Sequence, residues 1–226
     1  MYTLLLTFLT YCLLILPELS GPRFISVPAK RFEPVNVATS QEKLDGKAVL
    51  KVTKSPTVTA VDEPTFARLV GSHFHNGTIE VKVLSRLLPG APALSRGFIG
   101  LAFRINETNS QFESVYIRPV NGRADNQVQR NHSVQYFSFP DYKFERLRQE
   151  APGAYESYAD IGLNEWIRLR LVVHGTQARL FLNDSKQPVL LVNDLKHGAA
   201  ATGGIGLWVD VGTEGFFADL KITPTP

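Results

Sequence analysis

The strongest constraint in this sequence is an alternation of apolar and polar side chains with a period of two. Ile167, Leu169, Leu171 and Val173 alternate with Trp166, Arg168, Arg170 and His174. In an extended chain the aliphatic groups then share one face and the others the opposite face; a helix would scatter them around its circumference. His174-Gly175-Thr176-Gln177 reads as a short turn. Ala178, Leu180 and Leu182 resume the alternation against Arg179, Phe181 and Asn183, so the two runs predict a hairpin. The same rhythm marks Ile79–Val83, Leu101–Ile105, Val115–Ile117 and Ile205–Val209, and a last run, Phe216–Ile222, that closes before Pro224. Pro89-Gly90, Asn121-Gly122, Pro152-Gly153 and Gly203-Gly204 punctuate the runs. Pro34 to Asp45 reads as a loop or an edge strand. Asp141–Glu150 has helix-forming composition for only about two turns. Many short strands without crossover helices imply an all-β fold, a two-sheet antiparallel jelly-roll sandwich. One sheet of such a sandwich can curve and offer a polar concave face to a ligand.

Composition sets the limits around that fold. The chain has 226 residues, 44% hydrophobic and 20% charged, enough for one domain and inconsistent with intrinsic disorder. Lys and Arg number 24 against 21 Asp and Glu, and no basic stripe is present, so no nucleic-acid partner is expected. The single cysteine, Cys12, excludes an intramolecular disulfide and a cysteine-rich zinc site. It lies in an apolar run, Leu4–Leu16, that is shorter than the roughly 20 residues a bilayer-spanning helix needs. The run is read as the core of a signal peptide over residues 1–20, with the mature domain at 21–226. The expected location is secreted or extracytoplasmic, in the periplasm or at the cell surface. Membrane contact would come only through an uncleaved N-terminal segment. Asn76, Asn106, Asn131 and Asn183 each head an Asn-x-Ser/Thr triplet that could carry a glycan in a eukaryotic secretory pathway.

The order of the motifs adds a resemblance. Phe74–Val83 (FHNGTIEVKV), Gly97–Arg104 (GFIGLAFR), Glu113–Pro119 (ESVYIRP), Glu165-Trp166, Gly203–Trp208 (GGIGLW) and Phe217–Ile222 (FADLKI) follow one another along the chain. This series is similar to the 3-keto-disaccharide hydrolase domain family, of the concanavalin A-like lectin/glucanase superfamily, over about Val70 to Thr223. The resemblance implies a concanavalin A-like sandwich and activity on glycosides. Of that family's polar motifs, Arg104 carries over; Phe98-Ile99-Gly100 and Val115–Pro119 stand where the family has other residues. The Glu-x-Asp-x-x-Glu strand of the superfamily's glucanases is absent, which argues against retaining hydrolysis by that route. Asp219 stands on the last strand, where superfamily members often ligate a structural calcium. That calcium is the one cofactor the resemblance offers.

Tyr116–Tyr136 is dense in Arg, Asn and Gln, the planar polar side chains that pair with sugar hydroxyls. Arg104, Tyr116 and Arg118 share one strand parity and are expected to line a common surface, with Asn131, Gln135 and Tyr136 on the next run. Tyr155 lies beside it, and Trp208, on the polar parity of its strand, is a stacking candidate. Glu156 is the candidate general base, with His132 as partner acid or metal ligand. His73 and His75 share a strand face, but no third metal ligand lies near them in sequence. No phosphate loop, Gly-x-Ser-x-Gly elbow or His-Glu-x-x-His helix occurs. The expected function is therefore an exported carbohydrate-binding or carbohydrate-processing domain, extending to glycosidic-bond cleavage of 3-keto glycosides. The alternative is a non-catalytic lectin-like or laminin-G-like interaction module.

Overall fold

The alternating runs become the strands of two antiparallel sheets. The computed structural model describes residues 23–25 and 31–225; the expected signal peptide, with Cys12, lies outside the described residues. The elements are β1 (Arg23–Ile25), β2 (Phe32–Val35), β3 (Val37–Leu44), β4 (Lys47–Lys54), β5 (Phe66–Leu69), β6 (Asn76–Leu87), β7 (Ile99–Ile105), β8 (Phe112–Ile117), α1 (Pro119–Gly122), α2 (Gln127–Asn131), β9 (Val134–Phe139), α3 (Phe144–Glu150), β10 (Glu156–Ser157), β11 (Ile167–His174), β12 (Gln177–Leu182), β13 (Leu190–Val192), β14 (Gly204–Val209) and β15 (Thr213–Thr225). The first sheet runs β13-β12-β11-β6-β15-β4-β3, with β1 also on β15. The second runs β10-β9-β8-β7-β14-β5-β2.

The expected hairpin is β11–β12, with Leu171 opposite Leu180 and His174 opposite Gln177. The polar stretch from Pro34 supplies an edge strand to each sheet, β2 and β3. The last strand does not stop before Pro224; it stays paired to β6 through Thr225. Among the described residues β1 pairs with β15 from Leu220 to Ile222.

Parity decides which side of each strand is core. Gly215 on β15 leaves room only for Val209 and Ile99 of the second sheet, since a Cβ there would lie 2.6 Å from Val209 Cγ1. Residues of that parity, including Leu101, Val115, Leu207 and Val209, face inward against Val52, Val81, Leu169 and Phe217, and all are buried. Each such aliphatic group contributes about 1.5–3 kcal/mol by leaving water. The opposite parity of the second sheet forms a row across its outer face: Phe66, Trp208, Gly100, Tyr116, Gln135 and Glu156. The chain at Val61–Glu63, the two helices after β8, and α3 lie over this row.

Candidate functional site

The outer row is an aromatic floor. The Trp208 ring sits 4.7 Å from Tyr116 and 5.4 Å from Phe137, centroid to centroid. Gly100 is required beneath Tyr116: a Cβ would lie 2.2 Å from the Val115 carbonyl oxygen and 2.6 Å from Tyr116 Cα. Above the floor opens a cavity of about 610 Å³. Arg96 and Phe98 wall it before β7. Arg118, Asn121, Asn126, Gln129 and His132 come from the β8–β9 connection, Phe144, Glu145 and Arg148 from α3, and Asp62 and Asp210 from two loop ends. Local chemistry holds these elements. Pro119 opens α1, where its lost N–H costs nothing. Asn126 caps α2 by accepting the Gln129 N–H at 2.9 Å. Gln129 Nε2 in turn donates to Asn121 Oδ1 at 3.1 Å.

One wall is a saturated ion cluster. The Arg118 guanidinium lies over the faces of Tyr116, Phe144 and Phe98, at 4.9, 5.6 and 5.9 Å. It donates to the Tyr116 hydroxyl (2.7 Å), Gln135 Oε1 (3.2 Å), the His132 carbonyl (3.0 Å) and Glu156 Oε1 (3.3 Å). Arg148 grips both oxygens of Glu156. Burial alone would push the Glu156 carboxyl up, but the Arg148 hydrogen bonds and the charges of Arg118, Arg148 and His132 outweigh it and hold it below the usual value. His132 Nδ1 stands 2.9 Å from Glu156 Oε1 without a directed hydrogen bond. Burial lowers its imidazole, with Glu156 opposing.

The other wall holds two acids. Asp210 is ion-paired with Lys54 and accepts the Asp62 backbone N–H at 2.9 Å. Asp62, 1% exposed, accepts the Phe144 N–H at 2.9 Å through Oδ2. Burial pushes its carboxyl up to about 6; the Phe144 hydrogen bond opposes this and the Asp210 charge adds to it. Asp62 has φ +52, a left-handed conformation uncommon outside glycine. Burial also raises the Tyr116 phenol well above its ordinary value, so it remains a neutral hydroxyl.

The cavity gathers some of the expected residues and not others. Tyr116, Arg118 and His132 line it. Glu156 and Gln135 brace it from beneath; Gln135 donates to the Tyr136 and Tyr155 carbonyls. Trp208 occupies the expected outer face but is 0% exposed. The chain at Glu63 covers it and accepts its Nε1–H at 2.9 Å, so its ring is part of the floor rather than an open stacking surface. Asn131 is exposed beside the cavity and accepts from Gln127. Arg104 does not share a surface with Tyr116 and Arg118. It is the extra residue of a β-bulge, between Phe103 opposite Ile205 and Ile105 opposite Gly204, with φ +54. One extra residue breaks the period of two, and Arg104 donates to the carbonyls of His75, Gly175 and Gly198. Tyr136 has the inward parity and donates to Glu113 Oε2 at 2.6 Å. Tyr155 bonds Asp194 and Lys196. These three tyrosine and arginine side chains therefore lie away from the cavity.

Asp219 does not fit a calcium ion. It occupies the bulge of β15, between Ala218 and Lys221, is 57% exposed at its side chain and pairs with Lys82 at 2.8 Å. Among the described residues no group of three or more His, Cys, Asp or Glu could hold a metal. His75 Nε2 instead lies 2.7 Å from the Ala199 carbonyl. The sequence alone does not single out Asp62, Asp210 and Arg148. Asp210 directly follows the Gly-Leu-Trp strand, which is its one local signal; Asp62 has none, because its partners are distant in the chain.

No known protein-family pattern matches this chain, and no curated protein sequence matches it. Solved structures do. A candidate glycosyl hydrolase from Parabacteroides distasonis ATCC 8503 is similar over 94% of this chain and 99% of its own, at 12% identity and a TM-score of 0.54. The carbohydrate-binding module CBM66 from Bacillus subtilis is similar over 84% and 96%, at 13% identity and a TM-score of 0.50. Together with the sheet topology these likenesses define the fold: a two-sheet antiparallel jelly-roll sandwich.

Proposed function

We propose that this chain binds a carbohydrate in the cavity on the outer face of its second sheet. The observation that carries the proposal is the convergence there of planar polar side chains, Arg118, Asn121, Gln129, His132 and Arg148, with the rings of Tyr116, Phe98 and Phe144. Such groups pair with hydroxyls and cover the C–H face of a pyranose, and the volume suits a small ligand. The names of the two similar structures, a carbohydrate-binding module and a candidate glycosyl hydrolase, support the same ligand class. Binding is favoured over hydrolysis through Glu156 because that carboxylate is held ionised by Arg148 and Arg118, which makes it a weak proton acceptor. The apolar N-terminal run supports an exported location.

Screening on a glycan array followed by titration calorimetry is expected to find a binding sugar. Gln129→Ala and Phe144→Ala are each expected to weaken it about tenfold. Undiminished affinity in both variants would move the ligand off this cavity, and a chain that binds no glycan ends the proposal.

A further inference from the structure

We infer that Asp62 is the ligand-gripping carboxylate of the cavity, accepting hydroxyl protons from a vicinal diol, so that the ligand is a sugar with two adjacent free hydroxyls. The inference rests on the carbohydrate reading and names its substrate class.

Three observations point to Asp62. Its backbone is held at φ +52 by the bond from its N–H to Asp210, itself pinned by Lys54; strain of this kind persists where the surroundings over-determine it, and it clusters at ligand sites. Asp62 lines the cavity although the residue is almost wholly buried. And it has room for further donors. An ionised carboxylate can accept about four hydrogen bonds; Asp62 takes the Phe144 N–H and the Tyr116 hydroxyl.

Charged groups surround Asp62 on several elements. Tyr116 and Arg118 face Asp62 from β8 and its end, Asp210 from the turn after β14 and Arg148 from α3. Lys54 on β4 is engaged by Asp210, and Lys143 by Glu63. The two arginines are already committed to Glu156. Arg96 also lines the cavity and donates to the Ala93 and Ser95 carbonyls rather than to a carboxylate. A diol brings further donors to the ionised carboxylate. Burial pushes Asp62 up to about 6, so a ligand that prefers the ionised form should bind more tightly as pH rises and release a proton near that value.

The test uses the full chain and a panel of methyl hexopyranosides, each beside its 2-deoxy, 3-deoxy and 4-deoxy analogues. Affinity of the best glycoside is expected to rise about tenfold between pH 5 and pH 7.5 and then level off. Asp62→Asn preserves size, and Asn tolerates positive φ. It is expected to lose about tenfold or more at pH 7.5 and to flatten the pH profile. The deoxy analogue that binds worse to the native chain should bind the variant no worse than its parent. The deoxy comparison on the native chain needs no variant to fold. A glycoside that binds with a flat pH profile, or equally well to Asp62→Asn, overturns this inference and leaves the carbohydrate reading standing. Absence of binding by every sugar at every pH overturns both.

Discussion

Glu156 and Asp62 are buried acids under the same cavity, 8% and 1% exposed, yet their surroundings drive them in opposite directions. Burial raises both. Glu156 overcomes it because Arg148, Arg118 and His132 crowd its oxygens. Asp62 does not, because its donors are a backbone N–H and the neutral Tyr116 hydroxyl and its acidic neighbour is Asp210. Depth alone therefore does not decide whether a carboxyl is structural or available; the number and charge of its donors do. Glu156 is the charge-paired pole that holds the wall together, and Asp62 the pole held by neutral donors, to which a ligand can add.

The hardest blow to this contrast is Glu156→Ala. It leaves Arg118 buried without its counter-charge and should cost about 3–5 kcal/mol in urea unfolding. A loss under about 1 kcal/mol would mean that the charge-paired pole supports nothing. Next comes the pH dependence of stability. The unfolded chain releases the Asp62 proton near 3.8 and the folded chain near 6. Between those values the folded state holds more protons, so stability falls as pH rises, by about 3 kcal/mol in all. Asp62→Asn should thus be more stable than the native chain at pH 7.5 by up to about 3 kcal/mol and no different below about pH 4. A difference that stays constant with pH would refute the raised carboxyl. In that variant the opposite slope of Glu156 should emerge: its pKa is lowered on folding, so its contribution is present above the ordinary carboxylate value and lost as pH falls through the lowered one. The smallest effect belongs to Asp219→Ala, which breaks a surface pair with Lys82 and should change stability by no more than about 0.5 kcal/mol. Thermal melts with calcium or with a chelator should coincide; a calcium-dependent rise in Tm would make Asp219 a ligand after all.

Legibility in the sequence followed the range of the interactions. The β11–β12 hairpin and the inward faces of β6, β7, β8 and β14 could be read directly, because alternation is a local property of the strand. The short helix near Asp141–Glu150 was also visible and forms as α3. Arg104 was misplaced because parity counting assumes no bulge; the Gly203-Gly204 pair opposite it was the available clue, since a Cβ on Gly203 would lie 2.2 Å from the Ile105 carbonyl oxygen. Trp208 was assigned to the right face, but the cover supplied by Glu63 could not be foreseen. Tyr116, Arg118 and His132 were found because they stand close together in a polar stretch of chain.

The order of apolar and polar residues was sufficient to specify two layers of strands, since each strand buries one face wherever its neighbours lie. Which acid is charge-paired and which is held by neutral donors was decided only by folding. Asp62 meets Asp210, Phe144 and Tyr116 across long stretches of chain, and the field at a carboxyl depends on those distances in space rather than on its neighbours in sequence.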